Sequence, residues 1–61
     1  MAYDGKTHVE YIAGLPYYFL WIGHAWNVYV YDKKMYKLAE AVLLLKDAKT
    51  IANNHANKKG Q

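Results

Sequence analysis

The sequence predicts a small α+β domain, in which an antiparallel β-hairpin or a three-stranded meander packs against one C-terminal helix. Two apolar, aromatic-rich runs lie in the first half of the chain, and the short segment between them contains Gly23, which is hairpin spacing. The second half is rich in Ala, Leu and Lys and has no Gly or Pro from Met35 to Lys59, which favours a helix. A chain of 61 residues forms one domain, residues 1–61, at most.

The first part of the chain gives only weak structural signals. Residues 1–8 are a polar lead-in, and Val9–Ala13 then alternates weakly. The residues on one side of this alternation are Val9, Tyr11 and Ala13. Gly14-Leu15-Pro16 follows as a structural break, because proline also pushes the residue before it toward extended backbone.

The two aromatic-rich runs are the predicted strands of the hairpin. Tyr17–Ile22 is a continuous apolar run short enough for a strand. Trp26–Tyr31 alternates, so Trp26, Val28 and Val30 point one way, and Asn27, Tyr29 and Tyr31 point the other. The valine side should face the helix, together with some of Phe19, Leu20, Trp21 and Ile22. Tyr29 and Tyr31 should then point outward, beside Tyr18.

Two interpretations of the second half remain open. In the first, one helix runs from Met35 and fades at Asn53-Asn54, leaving residues 57–61 as a polar tail; its apolar stripe has helical spacing. The stripe consists of Leu38, Ala41, Val42, Leu45, Ala48 and Ala52. In the second, Met35–Ala41 is a third strand and the helix covers Leu44–Ala56. Leu43 discriminates, because a continuous helix would leave this leucine on the polar side.

Composition argues against several classes of function. The sequence has no Ser and no Cys, so the usual nucleophiles and cysteine-based zinc sites are absent. The five acidic residues are scattered, and His8, His24 and His55 are far apart in sequence. We therefore expect no enzyme activity, no metal site and no cofactor. The lack of cysteine fits a cytoplasmic protein.

The aromatic content predicts a binding surface. Eight aromatic side chains lie between Tyr17 and Tyr36, which is more ring area than so short a chain can bury. Seven of the eight lysines lie after residue 31, and no arginine is present. Because interfaces favour tyrosine and tryptophan, we expect a module that docks on a larger protein, with lysines oriented toward an acidic patch. The expected contact residues are Tyr17, Tyr18, Tyr29, Tyr31, Tyr36, Lys33, Lys34 and Lys37.

Three alternatives accompany this expectation. Tyrosines on a sheet beside lysines also suit single-stranded nucleic acid, although the absence of arginine disfavours sequence-specific reading. Tyr11–Tyr31 carries no formal charge and has the length of a membrane span, but its tyrosines are spread through the middle rather than at the two interfaces. A homo-oligomer could also absorb the surplus of rings. By analogy of size and composition alone, the chain is similar to the small inhibitors that phages and mobile elements direct against host or defence proteins.

Overall fold

The computed structural model describes residues 7–59 and shows an α+β fold. Its sheet is a four-stranded antiparallel meander with the spatial order β1-β2-β3-β4, and one helix follows it. The elements are β1 His8–Ile12, β2 Leu15–Trp21, β3 Trp26–Tyr31, β4 Met35–Val42 and α1 Leu45–Lys59. The sequence-based fold class is confirmed, and the meander has one strand more than the sequence predicted.

The central β2–β3 hairpin has the faces that the alternation predicted. Tyr17 pairs with Val30 and Phe19 with Val28, and because directly paired residues share a face, these four side chains point to the same side. All four are completely buried. The connecting turn is closed by the Ile22 amide, which donates to the Ala25 carbonyl at 2.9 Å, and Gly23 has the positive φ of 102° that glycine adopts without strain.

The β1–β2 hairpin is the element that the sequence did not assign. Its two-residue turn consists of Ala13 and Gly14, with φ values of 54° and 85°. Positive φ at both central residues is the type I′ arrangement, which matches the twist of antiparallel strands. The expected polar lead-in therefore ends one residue early, because His8 already belongs to β1; residues 1–6 lie outside the described part of the chain.

Met35–Val42 is a strand, so a continuous helix from Met35 is the wrong interpretation and a strand in this region is the right one. The strand pairs with β3 through two irregularities, between Trp26 and Val28 and between Val28 and Tyr29. At the first, Ala41 has a φ of 59°, and its amide donates to the side-chain oxygen of Asn27 at 3.0 Å. The bulge leaves an amide without a ladder partner, and Asn27 supplies that partner.

The helix covers one face of the sheet with small side chains. Ala48, Ala52 and Ala56 recur every four residues and are buried against Tyr17, Phe19, Val28 and Val30, which lets the helix lie close to the strands. Leu20 pairs with Asn27 on the opposite face and Ile22 is exposed, so these two are not core residues. The helix also continues to Lys59 instead of fading at Asn53-Asn54, while residues 60 and 61 of the expected tail lie outside the described part.

Candidate protein-binding face

The sheet face that points away from the helix carries a group of tyrosines, which we call the tyrosine face. Tyr18 and Tyr29 are directly opposite each other at its centre, and Tyr11 and Tyr31 occupy the next positions on the same face. Val9 lies opposite Tyr18, and Met35 lies opposite Tyr31. Within residues 7–59 the only helix lies on the other side of the sheet, so no second layer of the described chain covers these side chains.

The tyrosine face combines anchored and exposed rings. Tyr18 and Tyr29 are half-buried because each is flanked by neighbours across the strands. Tyr11 is 76% exposed and Tyr31 is 47% exposed. Of the nine Tyr, Trp and Phe rings in residues 7–59, only Tyr17 and Phe19 are fully buried. The other rings are therefore at least partly open to solvent, and an exposed apolar patch of this kind typically marks an interface.

Lysine side chains border the tyrosine face on the β4 side. Lys37 lies opposite Tyr29, with its ammonium 6.0 Å from the centroid of the tyrosine ring, at the outer limit of a cation–π contact. It also donates to Glu40 at 2.9 Å. This hydrogen bond raises the pKa of Lys37 and lowers the pKa of Glu40. Both side chains are exposed, so the pair contributes little to stability and can exchange partners readily.

The β3–β4 turn adds two exposed lysines, Lys33 and Lys34, at one end of the sheet. Lys33 has a φ of 72°, and the turn is closed by the Asp32 amide, which donates to the Lys34 carbonyl at 2.9 Å. The ammonium of Lys34 lies 5.5 Å from the centroid of the Tyr36 ring. Because Tyr36 pairs with the inward-facing Val30, Tyr36 and the Lys34 side chain associate with the helix side of the sheet, not with the tyrosine face.

The structure therefore divides the eight predicted contact residues into three groups. Tyr18, Tyr29, Tyr31 and Lys37 share the tyrosine face, with Lys33 at its end. Tyr36 and Lys34 are exposed on the helix side of the sheet, near the edge strand β4. Tyr17 is completely buried, so the expectation that it faces a partner does not fit its position. The sequence-based set also omitted Tyr11, Val9 and Met35; the weak alternation of Val9 and Tyr11 is the signal that identifies the first two.

Tyr17 has a structural role inside the domain. Its hydroxyl lies 2.8 Å from Nδ1 of His55 on the helix, and the two rings meet edge to face at 5.7 Å. The hydrogen bond gives the hydroxyl of a completely buried tyrosine a polar contact with the helix, as buried polar groups in folded proteins generally require. It also joins β2 to the last part of α1, so His55 helps to hold the helix on the sheet.

A second link between sheet and helix is ionic. Lys49 on the helix lies 2.9 Å from the Glu10 carboxylate on β1, and His8 lies 3.1 Å from the same oxygen. The hydrogen bond from Lys49, and then the one from His8, lower the pKa of Glu10 below its ordinary value of 4.5. The carboxylate is therefore preferred in the folded state, and it ties the edge strand to the helix.

We expect this ion pair to make part of the stability depend on pH. Since folding lowers the pKa of Glu10, its contribution is fully present above pH 4.5 and disappears as the pH falls through the lower folded-state value. Glu10→Gln should reduce the acid-induced loss of unfolding free energy by about 0.5 kcal/mol, because the pair is partly exposed. Urea unfolding at several pH values measures this. Glu40→Gln is the control and should change the pH dependence less. If the unfolding free energy of Glu10→Gln fell with decreasing pH as steeply as that of the unaltered protein, Glu10 could not be the source of this pH dependence.

Residues 7–59 hold neither a metal-binding cluster nor a helix that could span a membrane. Within residues 7–59, no group of three His, Asp or Glu side chains is placed to hold a metal ion. The one helix of residues 7–59, α1, is not long and apolar enough to cross a bilayer. Most of Tyr11–Tyr31, the segment with the length of a membrane span, forms strands β2 and β3. No protein family, curated protein or solved structure matches this chain.

Proposed function

We propose that this protein is a small non-enzymatic binding module that docks on a larger protein through its tyrosine face and acts as an inhibitor or adaptor. One observation carries the proposal: the helix covers one side of the sheet, whereas the other side presents Tyr11, Tyr18, Tyr29 and Tyr31 to solvent. Rigid strands hold these rings in fixed positions, and tyrosine loses little side-chain entropy when it is bound. Both features favour recognition over a purely structural role.

The chemistry of the face indicates the chemistry of the partner. Exposed tyrosines, Val9 and Met35 suit an apolar groove, and Lys33 and Lys37 at the border suit carboxylates on its rim. Lysines in such positions increase the association rate and orient the complex more than they increase affinity. The partner is therefore a protein with an apolar groove next to an acidic patch, and the mechanism is steric: the module covers a surface that another molecule needs.

Binding without turnover agrees with the side chains that are present. The sequence contains neither Ser nor Cys, and in the described chain Glu10 and Glu40 are paired with lysines. We propose the cytoplasm as the compartment, in line with a sequence that has no cysteine. The small size is that of the inhibitors by which phages and mobile elements block host or defence proteins.

Replacing Tyr29 and Tyr31 with alanine should reduce partner binding at least about tenfold, because truncation of central aromatic anchors often costs more than 1–2 kcal/mol of binding free energy. The experiment is affinity capture from a host lysate, followed by a titration of the recovered protein with each variant. Tyr36→Ala is a matched control, since Tyr36 is 45% exposed and Tyr31 is 47% exposed, but Tyr36 lies on the other side of the sheet. Thermal unfolding must show that the double variant is folded. Equal affinity of the double variant and the control would remove the tyrosine face as the binding site.

Single-stranded nucleic acid is the second candidate, and the position of Lys37 beside Tyr29 favours it. Stacking platforms of this kind place basic side chains next to exposed rings. Against it, Lys37 is already paired with Glu40, and the tyrosine face has no arginine to contact phosphate in a bidentate way. An affinity for oligonucleotides that falls steeply with salt would support this candidate, whereas no measurable binding at low salt would eliminate it.

A further inference from the structure

A second apolar surface lies at the end of the molecule away from the β3–β4 turn. At this end β2 finishes at Trp21, β3 begins at Trp26, and the chain passes from β4 into α1 through Leu43 and Leu44. Leu43 is 73% exposed, Leu44 is 51% exposed and Ile22 is 40% exposed. We call this surface the apolar end, and it is separate from the tyrosine face.

The apolar end contains a cleft. Its volume is about 440 Å³, and its walls include the indoles of Trp21 and Trp26 and the side chains of Leu43 and Leu44, with Thr7 and His8 on the β1 side. The two indole rings have centroids 5.1 Å apart and are tilted by 57°, so they do not stack flat and leave an opening. The volume lies within the range of about 300–1,000 Å³ that binding pockets commonly have.

Among residues 7–59, no lysine, aspartate or glutamate lines this cleft. The lysines at the β3–β4 turn lie at the opposite end of the strands. Near the cleft the charges are balanced: Lys46 and Asp47 lie together in the first turn of α1, and Glu10, which contacts the cleft residue His8, is paired with Lys49. Two copies of a chain with a net charge of +3 repel each other when their lysines approach. The apolar end lies away from the lysines of the β3–β4 turn, so a second copy can approach it with little repulsion.

The shape of the apolar end also fits a second copy. Leu43 is the most exposed leucine of the described chain and is one of the residues that line the cleft. A projecting side chain beside a recess, on the same patch, is the arrangement that a two-fold axis makes self-complementary: each projection enters the recess of the other copy. A short chain whose helix contributes mainly alanines to its core also buries little apolar area alone, and oligomerisation is a common remedy.

We propose that the apolar end is the interface of a homodimer, in which Leu43 of each chain packs into the Trp21–Trp26 cleft of the second copy. This inference goes beyond the proposed function and does not depend on it. Because the tyrosine face is on a different surface, both faces stay accessible in the dimer. The dimer would present two binding faces to partners, and two linked sites increase the apparent affinity for a multivalent target.

Sedimentation equilibrium over a wide range of protein concentration tests the proposal. The expected result is a reversible monomer–dimer equilibrium. The only two tryptophans of the sequence both line the cleft, so their fluorescence emission should shift to longer wavelength as dilution dissociates the dimer. Leu43→Glu should weaken the dimer about 100-fold, because it introduces an unpaired charge into the interface, and its emission should then be independent of concentration.

Controls separate this proposal from loss of folding and from the proposed function. Leu44→Asp is a second variant of the cleft and should also be monomeric; far-UV circular dichroism checks that both variants are folded. Tyr31→Glu alters the tyrosine face and should remain dimeric while it loses partner binding. A single-chain mass at every concentration, or dimers that persist in both cleft variants, would overturn the proposal. So would a monomer whose tryptophan emission responds to 1-anilinonaphthalene-8-sulfonate, since that would assign the cleft to a small apolar ligand.

Discussion

Replacing Phe19 with alanine is expected to leave the chain largely unfolded at room temperature. Phe19 is completely buried at the centre of β2, pairs with Val28 and packs in the cluster that includes Ala48 and Ala52. Truncating a buried phenylalanine costs about 3–5 kcal/mol. A chain of 61 residues has a total unfolding free energy of roughly 3–9 kcal/mol, so this one cavity removes most or all of it.

Urea unfolding followed by far-UV circular dichroism measures the effect. The matched control is Tyr11→Ala, which also removes an aromatic ring from a strand of the same sheet, but one that is 76% exposed. The control should change the unfolding free energy by no more than about 0.5 kcal/mol. If Phe19→Ala lost less than about 1 kcal/mol, Phe19 could not occupy the centre of the core, since such a loss is far below the range for buried phenylalanine.

The β2–β3 hairpin shows what the sequence can predict. Strict alternation in Trp26–Tyr31 fixes which side chains share a face, because successive strand residues point to opposite sides. The structure confirms that Val28 and Val30 face inward and that Tyr29 faces Tyr18 on the other side. The alternation does not need tertiary information, so this part of the candidate site could be derived before the fold was known.

The residues from 35 to 42 show where sequence patterns become ambiguous. Their Ala, Leu, Lys and Glu content favours a helix by intrinsic propensity, yet pairing with β3 determines the outcome, as tertiary context often overrides weak propensities. Leu43 was the useful signal, because a continuous helix would have placed this leucine on its polar side. The bulge at Ala41 could not be predicted from the sequence, because it depends on an interaction with Asn27 on another strand.

The sequence predicted only part of the candidate site, because strand pairing decides which residues share a face. Tyr17 and Tyr18 are adjacent, so only one of them can lie on the tyrosine face. The sequence predicted Tyr18 beside Tyr29, yet the predicted contact set also held Tyr17, because the length of the turn does not fix the register with β3. The register places Tyr17 in the core and Tyr18 outside. Tyr36 is likewise separated from Tyr29 and Tyr31 because it pairs with Val30. Tyr11 was missed because the alternation in β1 is inverted: polar His8 and Glu10 lie on the inward side, so the apolar side of this strand does not mark the core.

Replacing Ala52 with glutamate should also abolish stable folding. Ala52 is completely buried on the side of the helix that packs on the sheet, so a glutamate at this position would place its carboxylate among apolar side chains. An unpaired buried charge costs about 3–5 kcal/mol, which is comparable to the whole stability of a domain this small. Asn53→Glu is the matched control: it makes a change of the same charge at the adjacent exposed position and should alter stability by about 0.5 kcal/mol or less.

The pH dependence of the Ala52→Glu variant separates charge from volume. Burial would raise the pKa of the introduced carboxyl in the folded state, so its destabilisation should be greatest at neutral pH and should decrease as the pH falls through that raised value. Ala52→Gln adds the same volume without the charge; it should be less destabilising at neutral pH and lack this pH dependence. Urea unfolding of both variants at several pH values provides the comparison. If Ala52→Glu and Asn53→Glu unfolded at the same urea concentration, the helix could not lie on the sheet through its alanine stripe.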